Sequence, residues 1–373
     1  MAVPSQRINS LTALRGLAAW LVVLSHCFQL TRRSYFGEAR YEAVALAWLD
    51  LGTFAVVLFF VLSGFTLYVR YGARPLSTAN TLLFIVRRIF RIYPAFLASF
   101  VVCLALGQVV RRTIGFPDEP WIGDYALVPD AAIVAEYLSL TFNLTGHWSY
   151  VNDVYWSLPV EFQFYLLFPL MIALIRWHPA ILIAACGVLY AASHKLGFQF
   201  LTFQLAWQFA GGVLAGWAFV KWPLRAHPWL LYAIAVALFL SALYVRMHGN
   251  SLPILPGAWN QFMSKSAIYY GLIAIAAVAI ISRVDADLWP ERIRSFLIRQ
   301  GEISYSIYLF HSVFVVLGYV LIVAFQPVGW TRVLTIYPFV IVGTGLLASA
   351  SYALVEHPGI QLGRRLERLV RDR

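Results

Sequence analysis

Apolar residues come in long runs along this chain, separated by short polar intervals. Ten runs stand out, at roughly 10–30, 44–69, 92–110, 154–175, 178–193, 198–220, 228–246, 265–282, 302–325 and 333–355. A helix crossing the hydrocarbon core of a bilayer, about 30 Å thick, needs about 20 mostly apolar residues. The pattern therefore predicts an all-α, polytopic integral membrane protein with about ten transmembrane helices.

Composition agrees with that reading. Of 373 residues, 61% are hydrophobic and 12% charged, outside the range of soluble globular domains. The charges then orient the helices. With the N-terminus inside, the cytoplasmic segments collect Arg7, Arg15, Arg70, Arg74, Arg87, Arg88, Arg91, Arg176, Lys221, Arg225, Arg283, Arg292, Arg294, Arg299 and five arginines after residue 363. That is most of the 28 lysines and arginines, so the positive-inside bias predicts both termini cytoplasmic. The net charge of +11 is thereby read as topology. Arginines spread over separate membrane-flanking loops make no single basic face, which argues against nucleic acid as a partner. No stretch remains for a water-soluble domain, so residues 1–373 are read as one transmembrane domain.

The first run is read as a retained helix. Arg15 interrupts it, it is long for the apolar core of a secretory signal, and no A-x-A-like cleavage site follows. Cys27, Cys103 and Cys186 are isolated, so neither a disulfide framework nor a metal-ligand spacing is present, and no metal is expected. They read as small packing residues.

Candidate chemistry begins in that first run. Arg15 and His26 are eleven residues apart, close to three helical turns, which puts both on one face about 16 Å apart along the axis. Ionisable groups inside a membrane are costly and usually face a cavity or the bundle interior. A hydrogen-bonded packing histidine is the alternative. In "FFVLSGF" (59–65), Ser63 and Gly64 offer a small surface for close helix approach. In "RRIFRIYP" (87–94), Arg88 and Arg91 lie one turn apart at the cytoplasmic start of the third run, suited to clamping phosphates, or to ordinary headgroup contact. "WSLPVEFQFY" (156–165) places Glu161 near the outer start of a helix, with Pro159 in its first turns. "SYSIYLFH" (304–311) aligns Ser304, Tyr308 and His311 in a polar stripe. "LVEHPG" (354–359) puts Glu356 before Pro358, where the last helix is expected to end.

The longest outer segment, about 111–153, carries Asp118, Glu119, Asp124, Asp130, Glu136 and Asp153 with Trp121, Trp148, Tyr150 and nearby Tyr155. Aromatic faces beside carboxylates suit a sugar acceptor, with Trp148, Tyr150, Asp153 and Tyr155 as its candidate contacts. An interfacial aromatic belt on a solvated loop is the other reading.

The succession Arg15-(ten residues)-His26, "FFVLSGF", Arg88-x-x-Arg91, "WSLPVE", "SYSIYLFH", "VEHP" resembles the acyltransferase-3 family of bacterial membrane acyltransferases, from residue 11 to about 360. Members O-acylate, usually O-acetylate, sugars of exopolysaccharides, lipopolysaccharide, peptidoglycan, nodulation factors or macrolides. Some carry a C-terminal extracytoplasmic hydrolase-like domain; this chain ends at residue 373 without one. The resemblance implies an enzyme in the bacterial cytoplasmic (inner) membrane. Its co-substrate would be acyl-CoA, most often acetyl-CoA, with no permanently bound cofactor. Its partners would be a glycan or lipid-linked sugar acceptor and membrane lipids. It also implies that His26 and Arg15 are essential and that Arg88 and Arg91 serve the donor. Glu161 and His311 would belong to the functional core, supported by Trp156, Ser157, Ser304, Tyr305, Tyr308 and Glu356.

Two mechanisms fit those residues. Neutral His26 acts as general base toward the acceptor hydroxyl, with Glu161 holding its tautomer, or His26 carries the acyl group covalently. A proton-coupled transporter would also bury Arg, His and Glu, but no internal repeat and no counterpart to Pro159 is evident. A scaffold leaves those groups without a reason to be buried.

Overall fold

The computed structural model describes residues 8–32, 45–116, 122, 125, 127–148, 150–196, 201–223, 226–248 and 266–371. Arg7, Asp118, Glu119, Trp121, Asp124, Arg225 and Arg373 lie outside them. Every regular element among the described residues is helical. In chain order these are α1 (Asn9–Arg32), α2 (Gly52–Tyr71), α3 (Thr78–Thr113), α4 (Ala131–Ser139) and α5 (Phe142–Thr145). A 3-10 turn (Asp153–Trp156) leads into α6 (Ser157–Trp177), followed by α7 (Pro179–Leu196), α8 (Leu201–Lys221), α9 (Pro228–His248) and α10 (Ser266–Ile281). Then come α11 (Glu291–Glu302), α12 (Ser304–Phe325), α13 (Gly329–Ser351), a π turn (Tyr352–Glu356) and α14 (His357–Arg371).

Each of the ten apolar runs coincides with a helix, and the chain is an all-α polytopic membrane protein. Eight helical stretches are long and apolar enough to cross a membrane; the apolar stretches Pro179–Ser193 and Ser266–Ile281 are shorter.

Two helices depart from expectation. The third begins at Thr78 and not near residue 92, so Arg88 and Arg91 lie inside it and not at its start. Arginine interrupts a hydropathy run but is a good helix former, and Ser77 caps the helix by accepting the Asn80 amide at 3.2 Å. At 36 residues, α3 is about 54 Å long, well beyond one hydrocarbon thickness. The last helix likewise does not stop at Pro358. The π turn joins α13 to α14, and Pro358 falls in the first turn of α14, where a missing backbone donor costs least.

The chain divides into two compact units. The first comprises residues 1–22, 47–76 and 167–302. Its centre is the packing of α2 on α8, where glycines let backbones touch: a Cβ on Gly64 would lie 2.1 Å from the Phe209 carbonyl oxygen, and one on Gly212 2.1 Å from that of Val61. The small "SGF" surface thus works as a close helix contact, the role expected of such residues in membranes. Gly212→Ala is expected to cost about 1–3 kcal/mol through overpacking, read as a lowered unfolding temperature in detergent. In the same unit Arg246 pairs with Asp50 at 2.8 Å, and Trp20 donates to Gln300 at 2.9 Å.

The second unit comprises residues 23–46, 77–166 and 303–373. In it α12 packs on both α3 and α13, and α14 runs along the first half of α3. Gly359 and Gly363 approach Pro94 and Phe90 there, and Arg87 pairs with Glu367 at 2.8 Å. The candidate chemistry gathers in this unit.

Candidate functional site

Alpha helix α12 is the spine of the site. Tyr305, Tyr308 and His311 follow at spacings of three residues, so their side chains succeed one another along one side over about 9 Å. The Tyr305 hydroxyl donates to the Ile92 carbonyl at 3.0 Å, tying α12 to α3. Tyr308 donates to the Val154 carbonyl at 2.7 Å, and its oxygen lies 2.7 Å from Ser157 Oγ. The 3-10 turn ahead of α6 is thereby fixed against α12. Ser304 is buried beside them, and Trp156 is half-buried on the same turn.

One end of the stripe is charged. Arg91 lies 3.9 Å from the carboxylate of Glu356, which is fully buried in the π turn. The other Glu356 oxygen accepts from Ser306 at 2.7 Å, and the Ser306 oxygen also lies 3.2 Å from Ser351 Oγ. Glu161, half-buried on α6, accepts a hydrogen bond from Tyr165 one turn later. It also interacts electrostatically with Arg91, Tyr305 and Tyr308. Arg88 is different. Its guanidinium sits over the Phe84 and Tyr165 rings at 5.6 and 5.4 Å, and no carboxylate among the described residues pairs with it. It is a cation held by two aromatic faces, with its charge uncommitted.

The other end of the stripe holds two histidines. The rings of His26 and His311 lie 5.0 Å apart, tilted by 44°. His311 is fully buried. Its Nδ1 lies 2.8 Å from the Tyr308 carbonyl and 3.2 Å from that of Ile307. A carbonyl only accepts, so Nδ1 carries the proton and Nε2 presents a lone pair. That Nε2 is buried with no hydrogen-bond partner among the described residues. An uncharged base beside a second imidazole is suited to moving a proton during group transfer.

The candidates from sequence do not all converge. His26, His311, Glu161, Arg88, Arg91, Tyr305, Tyr308, Ser157 and Glu356 belong to the second unit, whereas Arg15 belongs to the first, half-buried on α1. Of the residues expected to meet an acceptor, Tyr150 and Asp153 are half-buried, but Trp148 and Tyr155 are interior. Tyr155 shares a 2.7 Å hydrogen bond with Ser99, and the Tyr137 hydroxyl lies within 3.2 Å of the carbonyl oxygens of His147, Trp148 and Tyr150, with one proton to give among them. These loop aromatics feed a core under the segment.

Three participants escaped the sequence reading. Tyr165 stands four residues after Glu161, a helical-neighbour spacing that was visible. Ser306 lies within "SYSIYLFH" but off the stripe that was traced. Asn152 donates to Ser312 at 2.8 Å and accepts from Tyr125 at 3.0 Å, holding the segment ahead of α6 to the turn that carries His311. Nothing local in the sequence marks it. Among the described residues no cluster of His, Cys, Asp or Glu has metal-binding geometry.

The acyltransferase domain model matches residues 8–352. The chain is 30% identical to Acyltransferase MdmB of Streptomyces mycarofaciens, over 96% of this chain and 93% of that protein. It is 28% identical to Nodulation protein 10 of Rhizobium leguminosarum bv. viciae, over 82% of each. No solved structure matches it.

Proposed function

We propose a reaction from one premise: the chain belongs to the acyltransferase domain family and is a membrane acyltransferase. The reaction is transfer of an acyl group, acetyl in the first instance, from acyl-CoA to a hydroxyl of a sugar in a cell-surface or lipid-linked glycan. The observation that carries it is the polar stripe on α12, with an uncommitted arginine near one end and two imidazoles at the other. Arg88 meets a phosphate of the donor through charge-assisted hydrogen bonds, and the thioester reaches toward His26. His26 takes the proton of the acceptor hydroxyl as its oxygen bonds to the acyl carbon. The C–S bond breaks, and the same proton passes to the departing thiolate, leaving free CoA.

This reading extends to setting. With the basic segments inside, both termini face the cytoplasm, where acyl-CoA is made, and the host membrane is the bacterial cytoplasmic membrane. The loop carrying Tyr150 and Asp153 then lies on the outer side, where a glycan acceptor is met. A comparison of cells lacking the protein with complemented cells tests the proposal. Mass spectrometry of surface glycans after mild alkali release is expected to show one acyl ester lost on deletion and restored by the wild type. An unchanged ester profile, together with no release of CoA thiol from acetyl-CoA by the purified protein, would overturn it.

A further inference from the structure

We propose that His311 is a positioning residue for the transfer step. Its Nε2 accepts the N–H of His26, leaving the second ring nitrogen of His26 as the lone pair that takes the hydroxyl proton. The inference rests on the reading of His26 as the base and assigns the group that orients it.

Three observations converge on this assignment. First, His311 has one open atom. The Tyr308 carbonyl commits Nδ1 to donating, so Nε2 can only accept. Second, that acceptor is buried and lacks a partner among the described residues. A buried acceptor left without a donor loses the free energy of its lost hydration, so a donor belongs there. Third, the ring facing it is His26, with centroids 5.0 Å apart. Two imidazoles joined by an N–H···N bond of about 2.9 Å have centroids about 5 Å apart, so the separation admits the bond, and reorienting the tilted His26 ring is what brings its N–H onto the open Nε2. Glu161, the group the sequence suggested for this task, accepts from Tyr165 and lies in the field of Arg91.

The choice of an imidazole over a carboxylate has a chemical consequence. A carboxylate would orient His26 and also stabilise its cation. A neutral Nε2 orients it without adding a negative charge, so the proton that His26 takes is readily surrendered to the thiolate. The pair also holds one proton between its two rings, because two positive charges 5.0 Å apart in an interior repel.

The test uses full-length protein in lipid nanodiscs, acetyl-CoA as donor and a glycan extract of the same cells, with thiol release as readout. His311→Leu is expected to lower kcat about 100-fold with the acetyl-CoA KM unchanged. His311→Gln, whose amide oxygen reaches the place of Nε2, is expected to recover at least about tenfold of that loss. The double variant with His26→Ala is expected to be no slower than His26→Ala alone, as for residues acting as a unit. Turnover of His311→Leu within about threefold of wild type, or His311→Gln no faster than His311→Leu, would overturn the inference while an inactive His26→Ala left the base assignment standing. Conversely, an active His26→Ala would remove the base assignment itself. Nitrogen-15 histidine spectra of the wild type give an answer independent of whether variants fold: a neutral His311 protonated at Nε2 sinks the proposal.

Discussion

His26→Ala is expected to abolish turnover, by about 10²–10⁴-fold in kcat, while leaving an intact, monodisperse protein. Alanine is the best helix former and His26 lies well inside α1, so the helix itself loses nothing. What disappears is the ring against His311 and, on the proposed mechanism, the acceptor for the hydroxyl proton. The loss should fall on kcat, because the group acts on charge that develops only in the transition state. Thiol release at saturating acetyl-CoA, alongside gel filtration and thermal unfolding in detergent, checks both halves. Wild-type turnover in a folded variant would take His26 out of the reaction.

The second large effect separates two arginines that look equivalent in the sequence. Arg88→Ala is expected to raise the acetyl-CoA KM by roughly 10–100-fold, the value of about 1.5–3 kcal/mol for a hydrogen bond to a charged group, with kcat nearly unchanged. Its guanidinium rests on Phe84 and Tyr165, and among the described residues it has no counter-ion to lose. Arg91→Ala should behave in the opposite way. It strips Glu356, which is fully buried, of the arginine 3.9 Å away, and uncovering a buried charge typically costs about 3–5 kcal/mol. The variant should therefore melt earlier or fail to accumulate, and Glu356→Gln in the same background should restore part of the loss. Isothermal titration of acetyl-CoA, paired with unfolding curves, distinguishes the two. Equal donor affinity in Arg88→Ala and wild type would end the phosphate assignment.

Much of this was legible because membranes impose a blunt code. Twenty apolar residues make a crossing almost irrespective of order, so the ten apolar helices could be placed from hydropathy alone, eight of them in stretches long enough to cross a membrane. The ends were less legible. Hydropathy stops at Arg87, Arg88 and Arg91, but backbone hydrogen bonding does not, and α3 continues fourteen residues further toward its N-terminus than the run beginning at 92 suggested. At the site, spacing along one helix was readable: Tyr308 and His311 share a face, as expected. Partnerships across helices were not. Nothing in the chain says that Arg91 meets Glu356 while Arg88 meets aromatic rings, or that the imidazole beside His26 comes from a residue 285 positions later. Those depend on how α1, α3 and α12 rotate about their axes.

The π turn at Tyr352–Glu356 imposes a length constraint. One extra residue in a helical turn rotates everything beyond it by about 100° relative to an uninterrupted α-helix. That offset is shared by Glu356, which faces Ser306, and by Gly359 and Gly363, which face Pro94 and Phe90. Side chains at 352–355 can vary as long as they suit their surroundings. The number of residues cannot, since removing one would straighten the segment and swing the glycines off α3, carrying away the arm that holds Arg87 through Glu367. This stretch should therefore tolerate substitution and reject insertion or deletion.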